Sequence, residues 1–197
     1  KLSQAHAAIV GCGALGSATA LSLTRAGIGR LTIIDRDVPE WSNLPRQFLF
    51  SEKDVRDGLP KAIIAERRLQ EIDSNVQVIP HVTHLSTHNI SDLLSSVDVI
   101  VDGTDNFETR FLLKDFSCRE NIPWIYGGVI GAEGRVMTVV PGTTACLRCL
   151  ISEPPAPGSL PTCDTAGVLG AAVMVVGGVQ TAEAIKLVVN PLQQALS

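Results

Sequence analysis

The sequence predicts an α/β fold: a mostly parallel sheet with helices on both faces and antiparallel strands added at its C-terminal end. Three observations carry this. The chain is 45% hydrophobic but only 4% aromatic, and Gly, Ala, Val, Ile and Leu dominate, which is the composition of strands covered on both sides. Short apolar runs that end in acidic or polar residues alternate with helical stretches. The first apolar run, Ile9-Val10, passes directly into Gly11-Cys12-Gly13-Ala14-Leu15-Gly16, a G-x-G-x-x-G turn that opens a helix. At 197 residues the chain suits a single domain, 1–197, with a core of its own.

The elements follow in order. A helix over Ser17 to Ala26 stops at Gly27. Arg30 to Asp35 is a second strand ending in an acid. Residues 37–48, with neither helical nor strand period, read as an ordered loop containing a helical turn. A helix from Pro60 to about Ile72 carries Lys61 in its first turn, where the helix dipole disfavours a cation unless an anion is also bound there. Val76 to Pro80 is a third strand, Asn89 to Ser95 a short helix, and Val97 to Gly103 a fourth strand. Asp105 or Asn106 caps the next helix, which ends at Glu120. Trp124 to Val129 is a fifth strand, and Glu133-Gly134 turns the chain into an antiparallel strand over Arg135 to Val140. A proline-rich crossover loop lies near 150–164. The apolar stretch Gly167 to Val189 is expected to be a buried helix at a subunit contact rather than a membrane span, because its unbroken apolar core, Val168 to Val179, is too short to cross a bilayer.

The net charge of -4 argues for neither nucleic acid nor an anionic membrane as partner. Five cysteines suit a reducing, cytoplasmic setting and ligand or catalytic roles better than a disulfide framework. No signal or transit segment is expected at the start, and the missing initiator Met suggests a fragment.

Several residues carry chemistry. Gly11 allows the tight turn, Gly13 lets a ligand approach the backbone, and Gly16 lets the helix pack on the strand. Asp35 stands about 20 residues further on, where an acid binds ribose hydroxyls. Asp35, Asp37, Asp102 and Asp105 all fall at strand ends and are expected to face one crevice. Asn43, Arg46 and Lys61 form a polar and basic set after the second strand. A nicotinamide enzyme needs no such set there, whereas a reaction that develops charge on phosphate does. Asp105 is a hard oxygen ligand suited to Mg²⁺.

With these residues in view, the chain resembles the MoeB/ThiF family, adenylating enzymes related to ubiquitin-activating enzymes. The resemblance rests on the glycine loop, Ser42-Asn43-Leu44-Pro45-Arg46-Gln47, Lys61, Asp102-Gly103-Thr104-Asp105-Asn106, Cys146-Leu147-Arg148-Cys149, and the stretches Gly167 to Gly170 and Ala182 to Lys186. It implies a Rossmann-like fold, and an enzyme that uses ATP and Mg²⁺ to activate the C-terminal glycine carboxylate of a small ubiquitin-like β-grasp sulfur carrier ending in Gly-Gly. The product is an acyl-adenylate and pyrophosphate is released. It further implies that Gly11, Gly13 and Gly16 line the nucleotide loop with Asp37 and Ser42 nearby. Asp35 holds the ribose, Asn43, Arg46 and Lys61 meet the phosphates, and Asp105 binds Mg²⁺ with Asn106 beside the nucleotide. It makes Cys146 and Cys149 half of a four-cysteine Zn²⁺ site, sets Cys163 near a position that takes acyl or sulfur, and implies a homodimer. Two parts of the family pattern are not found: a second C-x-x-C pair and an N-terminal arm with an arginine. The chain is therefore expected to be truncated at both ends relative to the family. The competing readings are a nucleotide-binding scaffold without turnover and an NAD-dependent dehydrogenase.

Overall fold

The structure, a computed structural model, describes residues 1–155 and 166–190. Six strands form one sheet: β1 (His6–Val10), β2 (Arg30–Ile34), β3 (Gln77–His81), β4 (Val99–Asp102), β5 (Trp124–Ile130) and β6 (Glu133–Val139). Their order is β3-β2-β1-β4-β5-β6. The first five are parallel and β6 runs antiparallel to β5. The helices are α1 (Ala14–Arg25), α2 (Glu52–Asp57), α3 (Lys61–Ile72), α4 (Ile90–Leu94), α5 (Phe107–Glu120), α6 (Leu147–Leu150) and α7 (Gly170–Val189).

Successive strand side chains point to opposite faces, and both faces are covered. Ala7, Ile9, Leu31, Ile33, Val99 and Val101 join the core beneath α1, α3 and α7. Ala8, Val10, Ile34 and Ile100 join the core on the other side, with Leu94 of α4 and Phe111 and Phe116 of α5. Each apolar residue from Ala7 to Val10 of β1 therefore has somewhere dry to go, which explains that unbroken run.

β1 pairs with β2 on one side and β4 on the other, so the chain direction of the crossovers reverses between β1 and β4. Here the backbones touch. A Cβ on Gly16 would lie 1.8 Å from the Gly11 carbonyl oxygen, and one on Gly103 would lie 2.2 Å from the same atom. Side chains are excluded from all three positions by backbone, which cannot move aside as a flexible side chain can.

Several expectations need correction. Helix α1 begins at Ala14, not Ser17, so Gly16 lies inside its first turn. Helix α2 was not foreseen; Ser51 and Asp54 close a capping box at its start. Helix α6, also unforeseen, carries the C-x-x-C pair. The β5–β6 turn is Gly131 and Ala132, with Ile130 facing Glu133, so Glu133 and Gly134 already belong to β6. The 3₁₀ turn Trp41–Asn43 agrees with the expected helical turn in the loop, and Lys61 is the first residue of α3. The crossover loop beyond residue 155 lies outside the described residues.

Helix α7 is only half buried. By length and composition it is long and apolar enough to cross a membrane, yet its inner side packs on the sheet and buries Gln180 and Glu183. Gln180 donates to the Asp102 carbonyl at 2.8 Å, and Glu183 accepts from Thr138 Oγ1 at 3.1 Å. These polar bonds make it a core helix of this domain. Its outer side exposes Met174 (48%), Val175 (66%) and Val179 (36%).

Two alanine substitutions check this packing. Gly16→Ala should cost roughly 3 kcal/mol or more, because α1 must lift off β1. Gly178→Ala, at an open helical position with nothing within 4 Å, should gain about 0.5–1 kcal/mol. Urea midpoints measure both; equal effects at the two sites would contradict the backbone contact.

Candidate functional site

A cleft of about 530 Å³ opens at the carboxyl ends of β1, β2, β4 and β5, the place where open α/β sheets bind ligands. Gly11, Gly13, Asp35, Asp37, Arg46, Lys61, Asp105 and Asn106 all line it. Gly16 instead sits behind the wall in the backbone contact, and Ser42 and Asn43 support the loop that presents Arg46 and do not line the cleft themselves.

Asp35 ends β2 and is held by backbone: its two oxygens accept from the N–H groups of Cys12 at 2.7 Å and Asp37 at 2.8 Å. Burial pushes its carboxyl above the usual carboxylate range, against the opposing pull of those N–H groups and the Lys61 ammonium. Each oxygen keeps a lone pair for a ligand hydroxyl. Lys61 enters the cleft from the start of α3. Its N–H binds the Asp37 carbonyl at 2.8 Å, and its Nζ lies 3.8 Å from Asp37 Oδ2. The ammonium is buried at an uncapped helix N-terminus, where fixed positive charge accumulates and an anion is favoured. Arg46 is steadied by donating from Nη1 to the Ser42 carbonyl at 2.6 Å, while Asn43 Oδ1 accepts from the Glu40 N–H at 3.3 Å.

On the opposite side of the cleft, the four aspartates do not share one role. Asp102 is fully buried and does not line the cleft. Its Oδ1 accepts from the N–H and hydroxyl of Thr104 at 2.8 and 2.7 Å, and its Oδ2 lies 3.3 Å from Arg110 Nε. Burial pushes this carboxyl up, opposed by the Arg110 guanidinium and the Thr104 bonds. As the last residue of β4 it points inward because strand side chains alternate, and it serves to tie down the turn that carries Asp105. Asp105 itself is exposed on the cleft wall and forms no hydrogen bond or ion pair with the described residues. Asn106 caps α5, its Oδ1 accepting from the Thr109 N–H at 2.9 Å.

Three residues were not singled out from the sequence. Gln47 is buried beside Gly13, lines the cleft, and has no hydrogen-bond partner for Oε1 among the described residues. Arg110 lies under the Asp105 turn and donates to the Thr104 carbonyl. Gln180 reaches the same turn from α7. Gln47 stood in plain view next to Arg46; the other two carry no local signal.

Cys146 precedes α6 as its N-cap and Cys149 lies within it, with their sulfurs 3.9 Å apart. That matches the edge of a tetrahedron with metal–sulfur bonds of 2.3 Å, about 3.8 Å. No group of three or more metal-ligating side chains occurs among the described residues. Burial pushes the Cys146 thiol up, but the N–H groups of Arg148 and Cys149, the Cys149 thiol and the Lys114 ammonium outweigh it and leave the thiol below its ordinary value. Cys12 is completely buried, and desolvation pushes its thiol far up. Cys163 lies outside the described residues.

The sequence profile of the ThiF family matches residues 1–196. The sulfur carrier protein ThiS adenylyltransferase of Bacillus subtilis is 48% identical over 187 residues, covering 95% of this chain and 55% of that protein. The SAMP-activating enzyme E1 of Haloferax volcanii is 38% identical over 190 residues, 96% of this chain and 69% of that protein. The crystal structure of E. coli MccB with ATP superposes with a TM-score of 0.82 at 26% identity, covering 95% of this chain and 56% of that one. The chain thus spans about half to seven-tenths of the length of these proteins.

The thiols provide a test of the local environments. Native protein treated with iodoacetamide at neutral pH should be alkylated at Cys146 while Cys12 reacts only after denaturation, as peptide mass mapping would record. Native labelling of Cys12 would show that the glycine loop opens.

Proposed function

Because the chain belongs to the ThiF family, we propose that its cleft binds ATP and that the domain adenylates the C-terminal carboxylate of a small protein. The observation that carries this reading is the convergence of Arg46, Lys61 and Asp105 over the glycine loop, in one cleft with Asp35. A hydride-transfer site needs the glycines and Asp35 but not the rest.

In this reading the Gly11–Gly13 backbone admits the phosphates and Asp35 accepts from the ribose hydroxyls. A carboxylate oxygen of the carrier attacks the α-phosphorus, the bond from that phosphorus to the bridging oxygen breaks, and pyrophosphate leaves. Negative charge grows on the α-phosphate and on the departing pyrophosphate. Lys61 and Arg46 offset it in place, and the burial of Lys61 raises the value of its charge. Gln47 Oε1 awaits a donor at the glycine loop.

The residues fit Mg²⁺. Asp105 offers an uncommitted carboxylate, and the described residues offer no cage; Mg²⁺ takes one or two carboxylates and completes its shell with phosphate oxygens and water. When bound it neutralises phosphate charge. The sulfur spacing of Cys146 and Cys149 fits half of a Zn²⁺ site.

The substrate is taken to be a ubiquitin-like β-grasp sulfur carrier ending in Gly-Gly. The names of the Bacillus and Haloferax proteins support this, and Gly128 and Val129 line the far side of the cleft. The domain is taken to act as a homodimer in the cytoplasm. The outer side of α7, with Met174, Val175 and Val179 at helical spacing, supplies an apolar face for a second subunit, and the described cysteines are all free thiols.

The decisive measurement is ATP–pyrophosphate exchange with a panel of Gly-Gly-ended carriers. Wild-type protein should exchange with at least one of them. Asp105→Ala should lower the rate at least ~100-fold with no change in melting temperature, since Asp105 has no bond with the described residues to lose. Retained exchange at saturating Mg²⁺ would remove Asp105 from the site.

A further inference from the structure

The strands on which the cleft rests separate early. β4 pairs with β5 only at Ile100–Trp124 and Val101–Ile125. Beyond these two positions the chains part, and each carries one side of the cleft. The β4–α5 turn presents Asp105, while β5 continues through Gly127 and Gly128 along the far side. The Arg110 side chain spans the gap on the cleft side. Arg110 donates from Nη2 to the Thr104 carbonyl at 2.6 Å and to the Gly127 carbonyl at 3.0 Å. Its guanidinium is flanked by the Phe107 ring at 5.3 Å and the Tyr126 ring at 5.0 Å, and Asp102 lies 3.3 Å from its Nε. It is 7% exposed. Both carbonyls adjoin functional backbone: Thr104 precedes Asp105, and Gly127 precedes Gly128.

We propose that Arg110 is a positioning residue that sets the separation of the metal-and-phosphate side of the cleft from the side that receives the carrier tail. This rests on the adenylation reading above. Two substrates that react with each other must be held near their reacting distance, and a misplacement of 1 Å costs about 100-fold in rate. A planar fork stacked between two rings fixes such a distance; a lysine would neutralise Asp102 but could neither bridge two carbonyls in a fixed plane nor stack.

Arg110→Lys therefore separates positioning from simple charge balance. Its kcat for ATP–pyrophosphate exchange should fall about 10- to 100-fold, with KM for ATP unchanged because Asp35, Arg46 and Lys61 remain in place. The Mg²⁺ concentration for half-maximal rate should rise as the Asp105 turn loosens. Leu94→Ala, a core truncation in α4 on the same side of the sheet, is the control for lost stability and should keep wild-type kcat. Wild-type kcat in Arg110→Lys, a loss carried entirely by KM for ATP, or an equal loss in Leu94→Ala would overturn the proposal. If wild-type protein shows no exchange with any carrier, the adenylation reading fails separately. The clamp is then judged by how much Mg²⁺ strengthens binding of a non-hydrolysable ATP analogue: a smaller enhancement in Arg110→Lys supports it and an equal one overturns it. Absence of nucleotide binding in the wild type overturns both.

Discussion

Everything at the working end of this domain depends on backbone lying directly against backbone where β1 and β4 end. Gly11, Gly16 and Gly103 meet with no room for a methyl group. This contact brings α1 down onto its own strand, so that its first N–H groups face the cleft. It also brings the Asp105 turn within one ligand's width of the glycine loop. A larger residue at any of the three would separate the two loops before altering any charged group.

Charge is then arranged by depth. At the surface of the cleft stand groups with capacity to spare: Asp105 without a partner among the described residues, Lys61 at 3.8 Å from Asp37, and Asp35 with free lone pairs. Below them lies a buried layer in which Asp102 Oδ2, Arg110 Nε and Gln180 Oε1 make no hydrogen bond with the described residues. Asp102, Thr104, Arg110 and Gln180 bind one another and the backbone, and this layer fixes where the upper groups point. A buried ion pair contributes little net stability, while breaking one by removing a partner costs about 3–5 kcal/mol. The Asp102–Arg110 pair thus makes the turn unforgiving rather than the fold robust.

The sequence made the upper layer legible and the lower layer opaque. The glycine spacing, the acid at the end of β2 and the lysine at the start of α3 are local patterns, and local patterns survive in a linear text. The alternation of β1 between two dry faces was legible as an unbroken apolar run. Asp102 looked like a fourth cleft aspartate, since position at a strand end is readable but the direction of the side chain depends on the pleat. Arg110 and Gln180 act on residues 6 and 78 positions away, and no window of sequence contains the second pairing. Helix α2 escaped notice because a six-residue helix has too few turns to display a period. For α7 the sequence supported a buried helix at a subunit contact but not which side meets the sheet, because both sides are apolar; composition cannot tell a stripe that meets the sheet from one that meets solvent.

The unequal pairing along the sheet has a mechanical meaning. β5 shares seven paired positions with β6 but two with β4. The β5–β6 hairpin is therefore a plate in its own right, joined to the parallel plate by two rungs. The Gln180 amide stitches the same seam, donating to Asp102 at 2.8 Å and Ile125 at 3.4 Å. The crevice is the gap between two plates that share a short hinge, with α7 running along the seam as its spine. A load applied to the outer side of α7 is thus delivered both to this seam, through Gln180, and to the cleft wall, through Leu15 and Val129 packed against Val173 and Val176.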